Sequence, residues 1–245
     1  MLEDFNFNRY SVIDEKNKRE IVMLRGSGCK WRRCRFCDYH FDFSTSKSDN
    51  YDLNKKQLEK VTGIYQKLEV INSGSFVDLD EETMHLIEKT CVDHSIKEVH
   101  FECHWIHREE IADLRKSFEK YKINVKVKIG VETFDNLFRE CYLDKGIDTD
   151  SASEIAGYFD EVCLLQGIPG QTVMSMKKDI ETGLEYFERV CINIMQENKK
   201  QIKPDPAVIA DFVREIYPIY SEDTRVDILL ENTAFGVGGV TGHAE

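Results

Sequence analysis

Cys29, Cys34 and Cys37 stand in the spacing C-x4-C-x2-C within GSGCKWRRCRFCDYH, the stretch from Gly26 to His40. Thiols this close together are first of all a metal-binding set. A structural zinc takes four protein ligands, and His40, in Cys37-x2-His40, would supply the fourth. A redox disulfide between Cys34 and Cys37 is a second reading, and it leaves Cys29 without a role. A 4Fe–4S cluster is the third: three cysteines hold it, and the fourth iron stays open to a small molecule. The other five cysteines, Cys91, Cys103, Cys141, Cys163 and Cys191, are scattered. In a reducing compartment they read as small buried hydrophobes.

The elements that must position this trio can be read from period and punctuation. Residues 20–25, EIVMLR, are a short β-branched run ending in Gly-Ser-Gly, so a strand feeds the cysteine loop. Further strands are expected at residues 69–72, 98–103, 125–130, 161–166, 191–195 and 226–231. Helices are expected at 54–68, with Leu58, Val61, Tyr65 and Leu68 at 3–4 spacing, and at 81–94, 108–121, 134–143 and 175–190. A last helix starts at Asp205 as N-cap with Pro206 in its first turn. Repeated βα units predict an α/β fold, a partial (β/α)6-type barrel with an extra C-terminal strand. One domain is expected, with its core at about residues 18–220 and a strand and glycine-rich tail at 221–245. Gly236, Gly238, Gly239 and Gly242 in that tail would permit a lid, and equally disorder.

Chemistry in such folds sits at the carboxyl ends of the strands. Ser73, Gly74 and Ser75 follow the strand at 69–72. GVET, residues 130–133, follows the strand at 125–130, and GIPGQT, residues 167–172, follows the strand at 161–166. With the cysteine loop, these motifs resemble the radical S-adenosylmethionine (SAM) superfamily. The usual loop there is C-x3-C-x2-C with an aromatic residue before the last cysteine. Phe36 fills that slot here, but Lys30, Trp31, Arg32 and Arg33 make the first gap one residue longer. GVET is similar to the G-x-E-[ST], and GIPGQT to the G-[LI]-P-G-Q-T, of tRNA-modifying and coproporphyrinogen-type members.

The resemblance implies a 4Fe–4S cluster on Cys29, Cys34 and Cys37, with SAM chelating the open iron and His40 a bystander. It implies that backbone of Ser73, Gly74 and Ser75 meets the SAM amino group, in place of the common Gly-Gly-Glu. Glu132 or Thr133 would meet the ribose or carboxylate, and backbone around Gln166 and Ile168 the adenine. A 5′-deoxyadenosyl radical would then abstract a hydrogen from substrate. The cluster needs an electron. Lys30, Arg32, Arg33 and Arg35 form a positive patch suited to an acidic, flavodoxin-like donor, or simply keep an exposed loop solvated.

The 245-residue chain has a net charge of −12, with 41% hydrophobic and 32% charged residues. That balance fills a core and argues against wrapping duplex nucleic acid or binding a large RNA. No apolar run approaches the ~18 residues of a membrane span, and the N-terminus has no secretory pattern, so a cytoplasmic protein is expected. A small nucleoside- or nucleotide-like substrate is favoured. Polar residues at strand ends are its candidate contacts: Glu102, His104 and His107; Gln196, Glu197 and Asn198; Glu231 and Asn232. A carboxylate among them would accept from the N1–H and 2-amino edge of a guanine-like base. For each, a solvated loop residue or helix cap is the plainer role. Length, cysteine spacing and overall pattern resemble the queuine lyases of queuosine salvage. That likeness implies release of queuine from queuosine or its 5′-phosphate by cleavage of the N-glycosidic bond. The alternatives are another radical SAM reaction on tRNA or a metabolite, and a non-enzymatic zinc-stapled α/β protein. No residue is assigned as catalytic acid or base.

Overall fold

Short β-branched runs spaced by helices give strands that add one after another. In the computed structural model, which describes residues 8–230, they form one eight-stranded sheet in the order β1 to β8. The strands are β1 (Tyr10–Ile13), β2 (Arg19–Leu24), β3 (Lys67–Asn72), β4 (Glu98–Glu102), β5 (Asn124–Glu132), β6 (Glu161–Gln166), β7 (Arg189–Ile194) and β8 (Val226–Leu229). From β2 to β8 every pairing is parallel. This is the expected partial barrel of six strands with a C-terminal seventh. β1, which pairs antiparallel with β2, was not expected; four residues carry too short an alternation to announce a strand. Glu231, Asn232 and the four tail glycines lie outside the described residues.

The helices are α1 (Lys47–Leu58), α2 (Glu81–Asp93), α3 (Ile111–Glu119), α4 (Ala152–Ala156), α5 (Val173–Tyr186), α6 (Pro206–Glu215) and α7 (Tyr217–Tyr220). The helix expected at 54–68 is displaced. It starts earlier, where the Ser46 side chain accepts from the Asp49 amide, and stops at Leu58. Gly63 and Gln66 then take left-handed conformations, and Leu68 enters β3. Of the helix expected at 134–143, one π-turn forms, Phe138–Tyr142. The expected start at Arg108 is a 3-10 turn, Trp105–Glu110, that leads into α3. Asp205 caps α6 through the amides of Ala207 and Val208, as the sequence predicts.

Period 2 sorts each strand's side chains onto two faces. One face, including Val70, Phe101, Val127, Ile129, Leu164 and Ile192, packs with Ile87, Phe118, Ile180 and Phe212 of the helices as the main core. The other face is charged. Arg19, Glu69, His100, Lys128, Glu161, Arg189 and Asp227 are all buried there. Arg19 on β2 lies 3.3 Å from Asp227 on β8, although these strands are not paired, so the sheet curls into a trough. Lys16, in the β1–β2 turn, closes that end by donating to the carbonyls of Ser221, Asp223 and Val226.

Glu69 is the hub. Its carboxylate accepts from Arg19 Nε at 2.5 Å, pairs with Lys128 Nζ and lies 3.9 Å from Arg189. Burial alone would raise its pKa, but Lys128, Arg19 and Arg189 outweigh it and hold the carboxyl well below its ordinary value. Charges this deep are tolerable only when paired on all sides.

Candidate active site

The cysteine loop crosses the carboxyl ends of the strands and is tied to three of the loops there. Ser27 N–H donates to Asp78 O (2.8 Å) beyond β3, Arg35 N–H to Leu143 O (3.0 Å) beyond β5, and Ile202 N–H to Arg35 O (3.1 Å) from beyond β7. Phe36, the aromatic residue before Cys37, packs on a second core of Leu143, Leu165, Ile168, Met195 and Ile202. That is a physical reason for an aromatic residue at this position: it pins the loop to the ends of β6 and β7.

Cys34 is buried, while Cys29 and Cys37 are half-buried, and all three are free thiols. Burial pushes Cys34 up to about 11 and Cys37 up to about 12. Thiols so raised give up their protons only to a strongly binding metal. Among the described residues, no three His, Cys, Asp or Glu side chains gather as a site for a single ion. His40 packs its ring on Phe41 at 4.3 Å. An all-thiolate set spread along one loop fits a cluster, in which each cysteine takes its own iron.

The expected SAM residues stand at the carboxyl ends of β3, β5 and β6. Gly74 backs onto Cys29, where a Cβ would lie 3.0 Å from its Cα and amide nitrogen. Ser75 is buried; its N–H donates to Asp78 Oδ2 (2.8 Å), and its Oγ accepts from the His104 N–H (2.8 Å). Ser73 Oγ donates to Asp42 O at 2.6 Å. Glu132 sits at a register break in β5 with φ at +69°, and accepts from Lys145 Nζ at 2.6 Å. Thr133 is buried beside Asp179, whose carboxylate accepts from the Phe134 N–H at 2.7 Å. Burial raises Asp179 to about 6. Gln166 is fully buried on the same strand face as Leu164, and neither of its amide atoms has a partner among the described residues. The Ile168 N–H is held by Gln171 Oε1 at 2.9 Å.

The substrate candidates separate. Glu102 faces the trough, 3.3 Å from Lys128 Nζ, and burial raises its pKa despite that cation. The trough holds a cavity whose lining includes Tyr39, Glu69, Glu102, Lys128, Cys163 and Asn193. His104 faces elsewhere. It stacks on Trp31 (5.7 Å, 20°), its Nε2 lies 2.8 Å from Lys145 O, and burial lowers it to about 3. His107 Nδ1 lies 3.7 Å from Glu110. Gln196 and Glu197 are exposed. Asn198 spends its side chain inside its own loop, donating to the Gln196 and Ile202 carbonyls and accepting from the Lys200 N–H. A larger groove of about 580 Å³ runs outside the trough past Trp31, Trp105 and Arg108.

The sequence reading missed Lys145, Glu69 and Lys128, which carry the charge of the site. A lysine in an Asp-Lys-Gly turn or in an alternating strand gives no sign of its partners. It also took Cys141 as buried, and Cys141 is exposed. Three of the four cationic side chains of the loop have internal partners. Arg32 donates to the Cys29 and Ser27 carbonyls, Arg33 pairs with Asp144 at 3.2 Å, and Arg35 donates to Cys141 O. No helix of the described residues is long and apolar enough to cross a membrane.

No family model matches the chain. A curated relative, an uncharacterized protein of Methanocaldococcus jannaschii, is 26% identical over 167 residues, 61% of this chain. The chain spans 44% of the length of that relative. Among solved structures, the queuine lyase from Clostridium spiroforme bound to SAM and queuine superposes with a TM-score of 0.88. It is 42% identical, and the alignment covers 94% of this chain and 99% of that one. A likeness of that extent, on a partial barrel with this cysteine loop at its strand ends, shows that the chain belongs to the queuine lyase family and is a radical SAM lyase.

Proposed function

We propose that this enzyme releases queuine from queuosine or queuosine 5′-phosphate by cleaving the N-glycosidic bond. The observation that carries this reading is the near full-length similarity to a queuine lyase that binds SAM and queuine. Cys29, Cys34 and Cys37 would hold the 4Fe–4S cluster. Ser73 to Ser75, Glu132 with Thr133, and the Gln166–Ile168 backbone would frame SAM beside it. When bound, cluster and SAM together supply a 5′-deoxyadenosyl radical.

The chain's part is placement. The trough beneath the strand ends, with Glu102 at its polar wall, would take the substrate, and a carboxylate there suits the adjacent N–H donors of a guanine-like base. The core of Leu143, Leu165, Ile168, Met195 and Ile202 beneath the loop keeps water from the reacting atoms. The electron would come from a flavodoxin-like protein meeting the exposed faces of Lys30, Arg32, Arg33 and Arg35. One domain, with its core at about residues 18–220, would carry the whole reaction.

Anaerobically reconstituted protein should hold about 4 Fe per chain. Given SAM and dithionite, it should turn queuosine 5′-phosphate into free queuine, read by mass. SAM cleavage without base release would remove the substrate assignment and leave another radical SAM reaction. A colourless protein with one zinc would remove the cluster.

A further inference from the structure

We propose that Lys145 and Glu132 form a charge pair that sets the reduction potential of the three-cysteine site, with Lys145 the cation that makes reduction easier. This rests on the reading of Cys29, Cys34 and Cys37 as cluster ligands.

The two side chains are 12% and 9% exposed, and they meet at 2.6 Å. Lys145 Nζ also stands 5.7 Å over the ring of Phe36, the neighbour of Cys37. Glu132 is brought to it by an unusual backbone, with φ at +69° just past the register break in β5. Gly130 leaves the space: a Cβ there would lie 2.6 Å from Glu132 Oε1 and 3.1 Å from Lys145 Nζ.

The segment that carries Lys145 is clamped to the cysteine loop from both sides. Trp31 Nε1–H donates to Asp144 O at 2.7 Å, Arg33 pairs with Asp144 at 3.2 Å, and the Arg35 N–H donates to Leu143 O at 3.0 Å. His104 holds Lys145 O and stacks on Trp31. Gly146, at φ +76°, lies flat against the Trp31 indole, where any Cβ would collide with the ring. Trp31 lies in the four-residue gap between Cys29 and Cys34, and Arg32 makes the turn out of it at φ +53°. The longer gap is therefore the device that lets Trp31 leave the loop and fix Lys145 beside the thiolates.

A cluster gains negative charge on reduction. In a poorly solvated site a nearby cation stabilises the reduced state and a nearby anion opposes it. The exposed arginines of the loop are screened by solvent and act weakly by comparison. The two members of the pair must then shift the midpoint in opposite directions.

The test is a redox titration followed by electron paramagnetic resonance on full-length, anaerobically reconstituted wild type, K145Q, E132Q and the double variant, without SAM. The expected result is a more negative midpoint for K145Q, a more positive one for E132Q, and the double variant between them. At the wild-type midpoint the reduced fraction of K145Q should fall by about threefold or more. K145R should stay near wild type. If K145Q fails to load iron, the E132Q shift alone decides. A K145Q or E132Q that carries a full cluster at the wild-type midpoint, or two shifts of the same sign, overturns the proposal. A wild type that assembles no 4Fe–4S cluster overturns the ligand reading beneath it, which is a different and separately visible result.

Discussion

Gly74 lies against Cys29 so closely that a methyl group on it would sit 3.0 Å from both the Cα and the amide nitrogen of that cysteine. The same methyl would collide with the Asp78 carboxylate, which holds the Ser75 N–H. Gly74→Ala must push the loop after β3 away from the cysteine loop, at a cost of about 1–3 kcal/mol. The sheet does not depend on this contact. The variant should fold and show a lower iron content and weaker cluster absorption after reconstitution than wild type. Full iron loading would show that the contact is dispensable.

Trp31 is the side chain that joins the cysteine loop to Asp144 and Gly146. Trp31→Ala removes the stack on His104 and the hydrogen bond to Asp144 O. Trp31→Phe removes only the second, worth about 1 kcal/mol. Iron release to a chelator under anaerobic conditions should be fastest in the alanine variant, intermediate in the phenylalanine variant and slowest in wild type. Equal rates in all three would contradict an anchoring role.

Glu69 compensates Lys128, Arg19 and Arg189 at once. Glu69→Gln removes the anion that these three buried cations share, leaving them only their outer partners Asp227, Glu102 and Glu161, and should destabilise the fold by about 3–5 kcal/mol in urea unfolding. Its depressed pKa sets the sign with pH. A carboxyl held below its unfolded value contributes stability that is complete above the unfolded value and is lost as pH falls through the folded one. The gap between wild type and Glu69→Gln should therefore narrow in acid. A gap that stays constant would place the hub's contribution elsewhere.

Asp179 runs the other way. Burial raises it from 3.8 to about 6, so its contribution is complete below the unfolded value and is lost as pH rises through about 6. Asp179→Asn keeps an acceptor for the Phe134 N–H and has no charge to bury. Relative to wild type, the variant should gain up to about 3 kcal/mol between pH 4 and pH 7.5. Paired urea titrations at the two pH values measure this; a difference that does not move with pH would refute the assignment.

Much of this was legible because it is local. The strand at Glu161–Gln166, the Asp205–Pro206 helix start and the cysteine loop at a strand end all follow from period, capping and punctuation. What was not legible is mostly pairwise and distant. Lys128 and Glu69 lie on strands two places apart, each in an alternating run, and only the curl of the sheet makes them partners. The helix expected at 54–68 failed for a local reason: apolar residues at 3–4 spacing ran across Gly63, whose left-handed backbone ends the pattern. The extra residue between Cys29 and Cys34, opaque as a string, has a role once Trp31 is seen beside Asp144.

Glu102 is the substrate candidate that the trough retains. Its carboxylate is half-buried, is raised by burial and is 3.3 Å from Lys128, and it shares the cavity with Tyr39 and Asn193. If it accepts from the base, Glu102→Gln exchanges one acceptor oxygen for a donor and should weaken queuine binding by about 1–3 kcal/mol, or roughly fivefold to 150-fold. SAM binding, assigned to other residues at the ends of β3, β5 and β6, should be unchanged. Glu197, exposed on its loop, serves as the comparison, and Glu197→Gln should bind queuine as wild type does. Calorimetry of queuine and SAM with each variant separates the outcomes. An equal loss in both variants would point to a general charge effect, and no loss in either would move base recognition to another wall of the trough.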